Sequence, residues 1–100
     1  VLHFLQWNAR SLIANGQELK KYVIYSEVKP DVICVQETWL KPHLDFILPG
    51  YESVRLDRDG KQGGGCATFV REEIPFRGIV NSTETECVII EIYSTNQIKN

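Results

Sequence analysis

Apolar positions along the chain fall into short runs, separated by polar stretches that carry glycine or proline. The first run, Leu2 to Trp7, is short and rich in strand formers, and predicts a strand. Residues 8 to 14 (NARSLIA) then cross to a segment with a helical period. Asn15 is the expected N-cap of that helix, with Glu18 three residues later completing a capping-box pattern. Leu19, Tyr22, Val23 and Ser26 follow at i, i+3, i+4 and i+7. This spacing puts the first three on one stripe facing a sheet and turns Lys20, Lys21 and Glu27 mostly toward solvent. Pro30 is expected to end the helix, because the residue before a proline is pushed out of the helical region. Asp31 to Gln36 (DVICVQ) is a near-continuous apolar run, as in a strand covered on both faces. Strand, helix and strand of these lengths make a crossover unit, expected to be parallel and right-handed.

The pattern then changes. Residues 38 to 50 read as a loop, with Pro42 and a Pro49-Gly50 turn signal. Tyr51 to Leu56 predicts a strand, Asp57 to Gly65 (DRDGKQGGG) a loop, and Cys66 to Val70 and Glu86 to Tyr93 two further strands. A break at Pro75 and a polar stretch around Asn81 to Glu84 separate those two. There is no internal repeat, heptad or low-complexity linker. One crossover unit followed by strands with longer loops predicts a mixed sheet, not a simple doubly wound one.

Length and charge narrow the function classes. One hundred residues suffice for one modest domain, whereas a large α/β enzyme needs about twice that length. The sequence holds no Met and begins at Val1 inside the first expected strand, which reads as a piece whose true start has been removed. No apolar run approaches the roughly 20 residues needed to cross a bilayer, and no signal peptide is visible. The net charge of −2 argues against a stand-alone basic nucleic-acid module. It leaves room for an enzyme that meets phosphate through a divalent metal, since such a site needs carboxylates of its own. The three cysteines, Cys34, Cys66 and Cys87, are odd in number and lack a CxxC spacing, so buried free thiols in a reducing compartment are expected. A zinc site would need close partners, and His3 and His43 are isolated.

Asn8 and Glu37 each follow the carboxyl end of a strand in the same crossover unit, where ligand sites gather in open α/β sheets. Neighbouring strands would put them side by side at one rim. A carboxylate beside an amide can hold Mg²⁺ through one or two protein oxygens and leave the other positions to water and phosphate. Position alone favours a solvated strand-end charge at Glu37 and, at Asn8, a turn residue bonding its own backbone.

The strings LQWNARSL at 5–12, PDVICVQETWL at 30–40 and GYESVRLDRDGKQGGGCATFV at 50–70 bear on that choice. Taken in order, they closely resemble the opening of the endonuclease/exonuclease/phosphatase superfamily. The R-x-D-R…GGG-x-A segment is similar to the apurinic-like endonuclease domain of non-LTR retrotransposons. The resemblance covers nearly the whole chain. It implies an α/β fold with α+β character: the N-terminal part of a four-layered α/β sandwich with mixed β-sheets, residues 1–100 forming the N-terminal half of the domain. Glu37, in the QET triplet, matches the family's metal-binding glutamate. Asn8, in the WN pair, matches the asparagine that contacts the metal site and helps orient phosphate and catalytic groups. Both are therefore implied as catalytic and metal-site residues, with Mg²⁺ (or Mn²⁺) as cofactor. Arg10 stands where many repair-type relatives carry an acidic residue, which puts a second metal contact from this loop in question.

Arg55, Arg58 and Lys61 cluster around the glycine run and are candidates for neutralising phosphates, as is Arg10. Gly63, Gly64 and Gly65 allow positive φ and the close approach of a ligand or of another backbone, or simply a hairpin connection. A dinucleotide site is a poor reading, because no GxGxxG lies between the first strand and a helix. Trp7 and Trp39 are expected as core or rim packing. His3 is expected to be structural, within the first strand.

The activity that the resemblance implies for the parent protein is metal-dependent DNA nicking, supplying a 3′-hydroxyl primer for reverse transcription. Its implied partners are DNA, the rest of the domain and a downstream reverse transcriptase, in the nucleus. Alternatives are a phosphatase or phosphodiesterase of the same superfamily acting on inositol or lipid phosphates, and a non-catalytic remnant of a degraded mobile element. The family's Asp-x-Asn motif and its paired Asp and His do not occur in this sequence, so the chain alone is expected to be inactive.

Overall fold

A computed structural model of the chain describes residues 2–57, 63–80 and 88–92. Its elements in order are β1 (Phe4–Asn8), α1 (Leu12–Tyr25), β2 (Val32–Gln36), β3 (Tyr51–Leu56), β4 (Cys66–Arg71), β5 (Phe76–Val80) and β6 (Val88–Ile92). The first four strands form one sheet in the order β1-β2-β4-β3, and β5 and β6 pair in a second. β1 and β2 are parallel, as the crossover unit requires, while β4 is antiparallel to both β2 and β3. The sheet is mixed, as expected.

Alternation along the strands creates two faces. Ile33 and Val35 of β2, with Ala67 and Phe69 of β4, point into a core with Leu12, Leu19 and Val23 of α1 and with Leu40 and Leu48 of the following loop. Phe46 closes this core edge-on against Phe69, ring centroids 5.9 Å apart. Val32 and Val70, paired across β2 and β4, are buried on the opposite face. The DVICVQ run is thus covered on both sides. That second face also receives β5: a Cβ on Gly78 would stand 2.6 Å from Val54 Cγ2 of β3. The absence of a side chain there is what lets the second sheet lie so close.

The helix begins earlier than the capping-box pattern predicts. Ser11, not Asn15, is the N-cap, and its Oγ accepts from Ala14 N at 3.1 Å. Asn15 lies inside the helix and donates its Nδ2 to the carbonyls of Ala9 and Arg10, both at 2.9 Å. The earlier start is favoured because it swings Leu12 into the core. The buried stripe is accordingly Leu12, Gly16, Leu19 and Val23, and Tyr22 is left 51% exposed. The helix also stops short of Pro30. Ser26 caps it, with its N and Oγ donating to Tyr22 O at 3.0 and 2.6 Å. Lys29 Nζ covers Val23 O at 2.5 Å, satisfying another carbonyl of the last turn.

Two strand assignments also change. β5 follows directly on Pro75 in a stretch read as a break. Arg77 and Gly78 interrupt its apolar pattern, so only its pairing with β6 and its packing on Val54 reveal it. β1 starts at Phe4, which leaves His3 before the strand. Its backbone N donates to Asp31 Oδ2 at 2.8 Å and its carbonyl accepts from Asp31 N at 2.7 Å, while the side chain is exposed. Cys34 and Cys66 are half-buried and not joined in a disulfide; Cys87 lies outside the described residues.

Candidate functional site

Three loops converge at the rim formed by the carboxyl ends of β1 and β2. Asn8 ends β1 and pairs in register with Gln36, the last residue of β2, so Glu37 emerges immediately beside it. The chain after β1 is sewn to the chain after β2 by Ala9 N to Gln36 O at 2.9 Å, Ser11 N to Glu37 O at 3.0 Å and Leu12 N to Thr38 O at 2.9 Å. The glycine run entering β4 is sewn to the same loop from its other side. Trp39 N donates to Gly64 O at 2.9 Å and Thr38 N to Gly65 O at 3.3 Å. The QETW segment is therefore held between two neighbours by backbone bonds alone.

This lacing has a conformational cost. Arg10, Ser11, Glu37 and Trp39 are the non-glycine residues with positive φ among those described, at 46°, 88°, 55° and 55°, and all four lie at this rim. Gly63, Gly64 and Gly65 also have positive φ, at 74°, 71° and 81°. Non-glycine residues pay roughly 1 to 2 kcal/mol each in left-handed backbone. Such strain concentrates where surrounding structure over-determines a functional geometry. The glycine run meets another backbone here, one of the three uses its composition allows.

The side chains at the rim divide by what they touch. Glu37 is half-buried, and its Oε1 accepts from Trp39 Nε1 at 3.2 Å. Among the described residues its other carboxylate oxygen has no partner, and neither do the exposed side chains of Asn8 and Arg10. Arg55 is otherwise engaged. Its guanidinium holds Asp57 Oδ2 at 2.8 Å, Leu44 O at 2.9 Å and Lys41 O at 3.1 Å, and its side chain is 20% exposed. It binds the 41–44 loop to β3. Arg58 and Lys61 lie outside the described residues.

Trp7 packs partly buried against the core, as expected. Trp39 is 42% exposed and does more than pack, since it donates to the glutamate. The legible signal for that role was its i+2 spacing from Glu37 combined with an indole N–H, which needs a partner when partly buried. Thr38, fully buried, anchors the same turn through Oγ1, which accepts from Leu40 N at 3.3 Å. No group of three or more His, Cys, Asp or Glu gathers at one point among the described residues. Any cation held here would rest on Glu37 with Asn8 beside it, a donor set suited to a hard ion that keeps much of its own water.

The profile of the endonuclease/exonuclease/phosphatase family matches residues 5–96, and the chain belongs to that family. Its enzymes are hydrolases of phosphoester bonds and generally use divalent metals. Among solved structures, the chain is similar to an AP endonuclease from Archaeoglobus fulgidus, with TM-score 0.60 and 21% identity over 84% of this chain and 33% of that one. It is also similar to the 3′ phosphatase NExo from Neisseria bound to a product DNA hairpin, with TM-score 0.59 and 19% identity over 78% of this chain and 32% of that one. The chain thus spans about a third of the length of each. These likenesses establish the fold. No curated protein matches the chain significantly.

Proposed function

We propose that the protein carrying this chain hydrolyses phosphodiester bonds in DNA with a divalent metal ion, as the nicking endonuclease of a non-LTR retrotransposon. The observation that carries the reading is Glu37, held in a left-handed turn at the end of β2 with one carboxylate oxygen unengaged beside Asn8. Glu37 and Asn8 would hold Mg²⁺ or Mn²⁺, which when bound supplies a Lewis acid toward the phosphoryl oxygen. The Asn8 amide is placed to orient a phosphate by hydrogen bonding. The exposed Arg10 guanidinium can pair with phosphate oxygens in a charge-assisted, two-pronged contact. Arg58 and Lys61, outside the described residues, remain candidates for phosphate contact in this proposal, whereas Arg55 serves the site by fixing the 41–44 loop to β3.

The proton transfers fall to groups in the rest of the protein, so this chain alone is expected to be inactive. DNA, a downstream reverse transcriptase and a nuclear setting belong to the same proposal and rest on the resemblance of the R-x-D-R…GGG-x-A segment. A second reading, phosphomonoester hydrolysis, is favoured by the likeness to a 3′ phosphatase.

The test is nicking of supercoiled plasmid by the protein carrying this chain. Nicking is expected to need Mg²⁺, to stop with EDTA, and to fall on the order of 100-fold or more in Glu37→Ala. Unimpaired nicking by that variant would overturn the assignment. Phosphate release from a 3′-phosphorylated oligonucleotide or an inositol phosphate, without nicking, would favour the phosphatase reading.

A further inference from the structure

We infer that Trp39 is a positioning residue: its indole N–H fixes Glu37 so that one carboxylate oxygen is committed to the protein and the other is presented to a metal ion. The inference rests on the metal-site reading of Glu37 and goes beyond it in assigning the neighbour that orients the ligand.

Four features of the rim converge on the indole. Trp39 Nε1 donates to Glu37 Oε1 at 3.2 Å. Its backbone is held by the Trp39 N to Gly64 O bond at 2.9 Å, which ties the residue's main chain to the glycine run. Gly63 lies against both groups: a Cβ there would be in ordinary contact, 3.5 Å from Trp39 Nε1 and 3.9 Å from Glu37 Oε1, and it is the positive φ of 74° that favours glycine. Two left-handed residues in a single turn, Glu37 and Trp39 at φ 55° each, bring the indole back over the carboxylate two positions earlier.

A carboxylate with both oxygens free rotates, and a cation must first pay to order it. One oxygen tied to a rigid donor removes that freedom before the ion arrives. This is how outer partners of ligating side chains act on metal affinity, typically by about 10- to 100-fold. Trp39 is also 42% exposed, so the ring edge that orients Glu37 does so without being sealed into the core. Replacing it therefore leaves the packing of Phe69, Ile33 and Val35 intact.

The experiment is direct Mn²⁺ binding, followed by electron paramagnetic resonance, to the whole protein that carries this chain. Four forms are compared: wild type, Trp39→Phe, Trp39→His and Glu37→Gln. Trp39→Phe keeps an aromatic ring and loses the donor, and is expected to weaken Mn²⁺ binding about tenfold. Trp39→His keeps a ring N–H and is expected to recover part of that loss. Glu37→Gln is expected to weaken binding at least as much as Trp39→Phe. A Trp39→Phe protein that binds within twofold of wild type, while Glu37→Gln does not, overturns the role of Trp39 and leaves the metal site standing. Wild-type binding by Glu37→Gln overturns both. A second measurement needs no folded Trp39 variant: the Trp39 indole N–H resonance of the wild-type protein should move on addition of Mg²⁺. An indole signal unmoved at saturating Mg²⁺ overturns the inference.

Discussion

At the scale of single residues, the site depends on conformations that side-chain chemistry does not favour. Glu37 and Trp39 adopt left-handed backbone in a segment bound to its neighbours on both sides by backbone hydrogen bonds. Arg55 shows how a cation near a candidate site can be consumed by structure. Its bonds to Asp57 and to two loop carbonyls use the fork geometry of a guanidinium, which a lysine ammonium does not reproduce. Arg55→Ala should lower stability by about 1 to 3 kcal/mol in urea unfolding, because half-buried carbonyls and Asp57 lose their donor. Arg55→Lys should recover less than half of that. If Arg55 acted instead through solvent-exposed phosphate contact, both variants would unfold like wild type.

At the scale of elements, helix α1 trades propensity for fit. Gly16 sits in the middle of the helix, where alanine would ordinarily be preferred by about 1 kcal/mol. A Cβ at this position would stand 2.8 Å from Phe46 Cζ and closer still to Cε1. The Phe46 ring cannot easily retreat, since it is edge-on to Phe69 and carries Lys20 Nζ over it at 5.0 Å. Gly16→Ala should therefore destabilise the chain by about 1 to 3 kcal/mol, as overpacking does, measured by thermal unfolding. A rise in melting temperature would show that Phe46 moves aside freely. The same trade explains why the helix start escaped the capping-box pattern: burial of Leu12 outweighs a reciprocal cap at Asn15 and Glu18.

At the scale of the whole molecule, the two ends of the sheet are built differently. The end opposite the candidate site is tied by side chains. Tyr51 OH donates to Pro30 O at 2.6 Å, Arg71 bridges Asp31 at 3.2 Å and also pairs with Glu73, and Asp31 holds His3 N. Burial pushes the Tyr51 phenol above its ordinary 10.0; the nearby Arg71 charge works against this, and Asp31 and Glu73 add to it. The phenolate is thus harder to form in the folded chain than in the unfolded one. Its contribution to stability is complete below pH 10.0 and is lost as pH rises through the higher folded value. Unfolding free energy should fall above that pH in wild type, and the fall should be shallower in Tyr51→Phe. Identical slopes in the two proteins would remove Tyr51 as the cause. No helix among the described residues is long and apolar enough to cross a membrane.

The sequence by itself determined the strands whose apolar and polar positions alternate or run together, because that periodicity is set by which face each side chain takes. β2, β3 and β4 were legible to within a residue, and so were the mixed sheet and the placing of Asn8 and Glu37 at neighbouring strand ends. Family membership was legible too, because it rests on ordered local strings. Tertiary structure alone decided the rest. β5 exists through its pairing with β6 and the fit of Gly78 on Val54; Ser11 caps the helix because Leu12 is needed in the core; Arg55 is spent on a loop 11 residues earlier in the chain. For Trp39 the spacing from Glu37 was legible, but the left-handed turn that makes its indole the partner of that carboxylate was not. Which carbonyl meets which N–H across the rim depends on segments far apart in sequence, and no local pattern encodes that meeting.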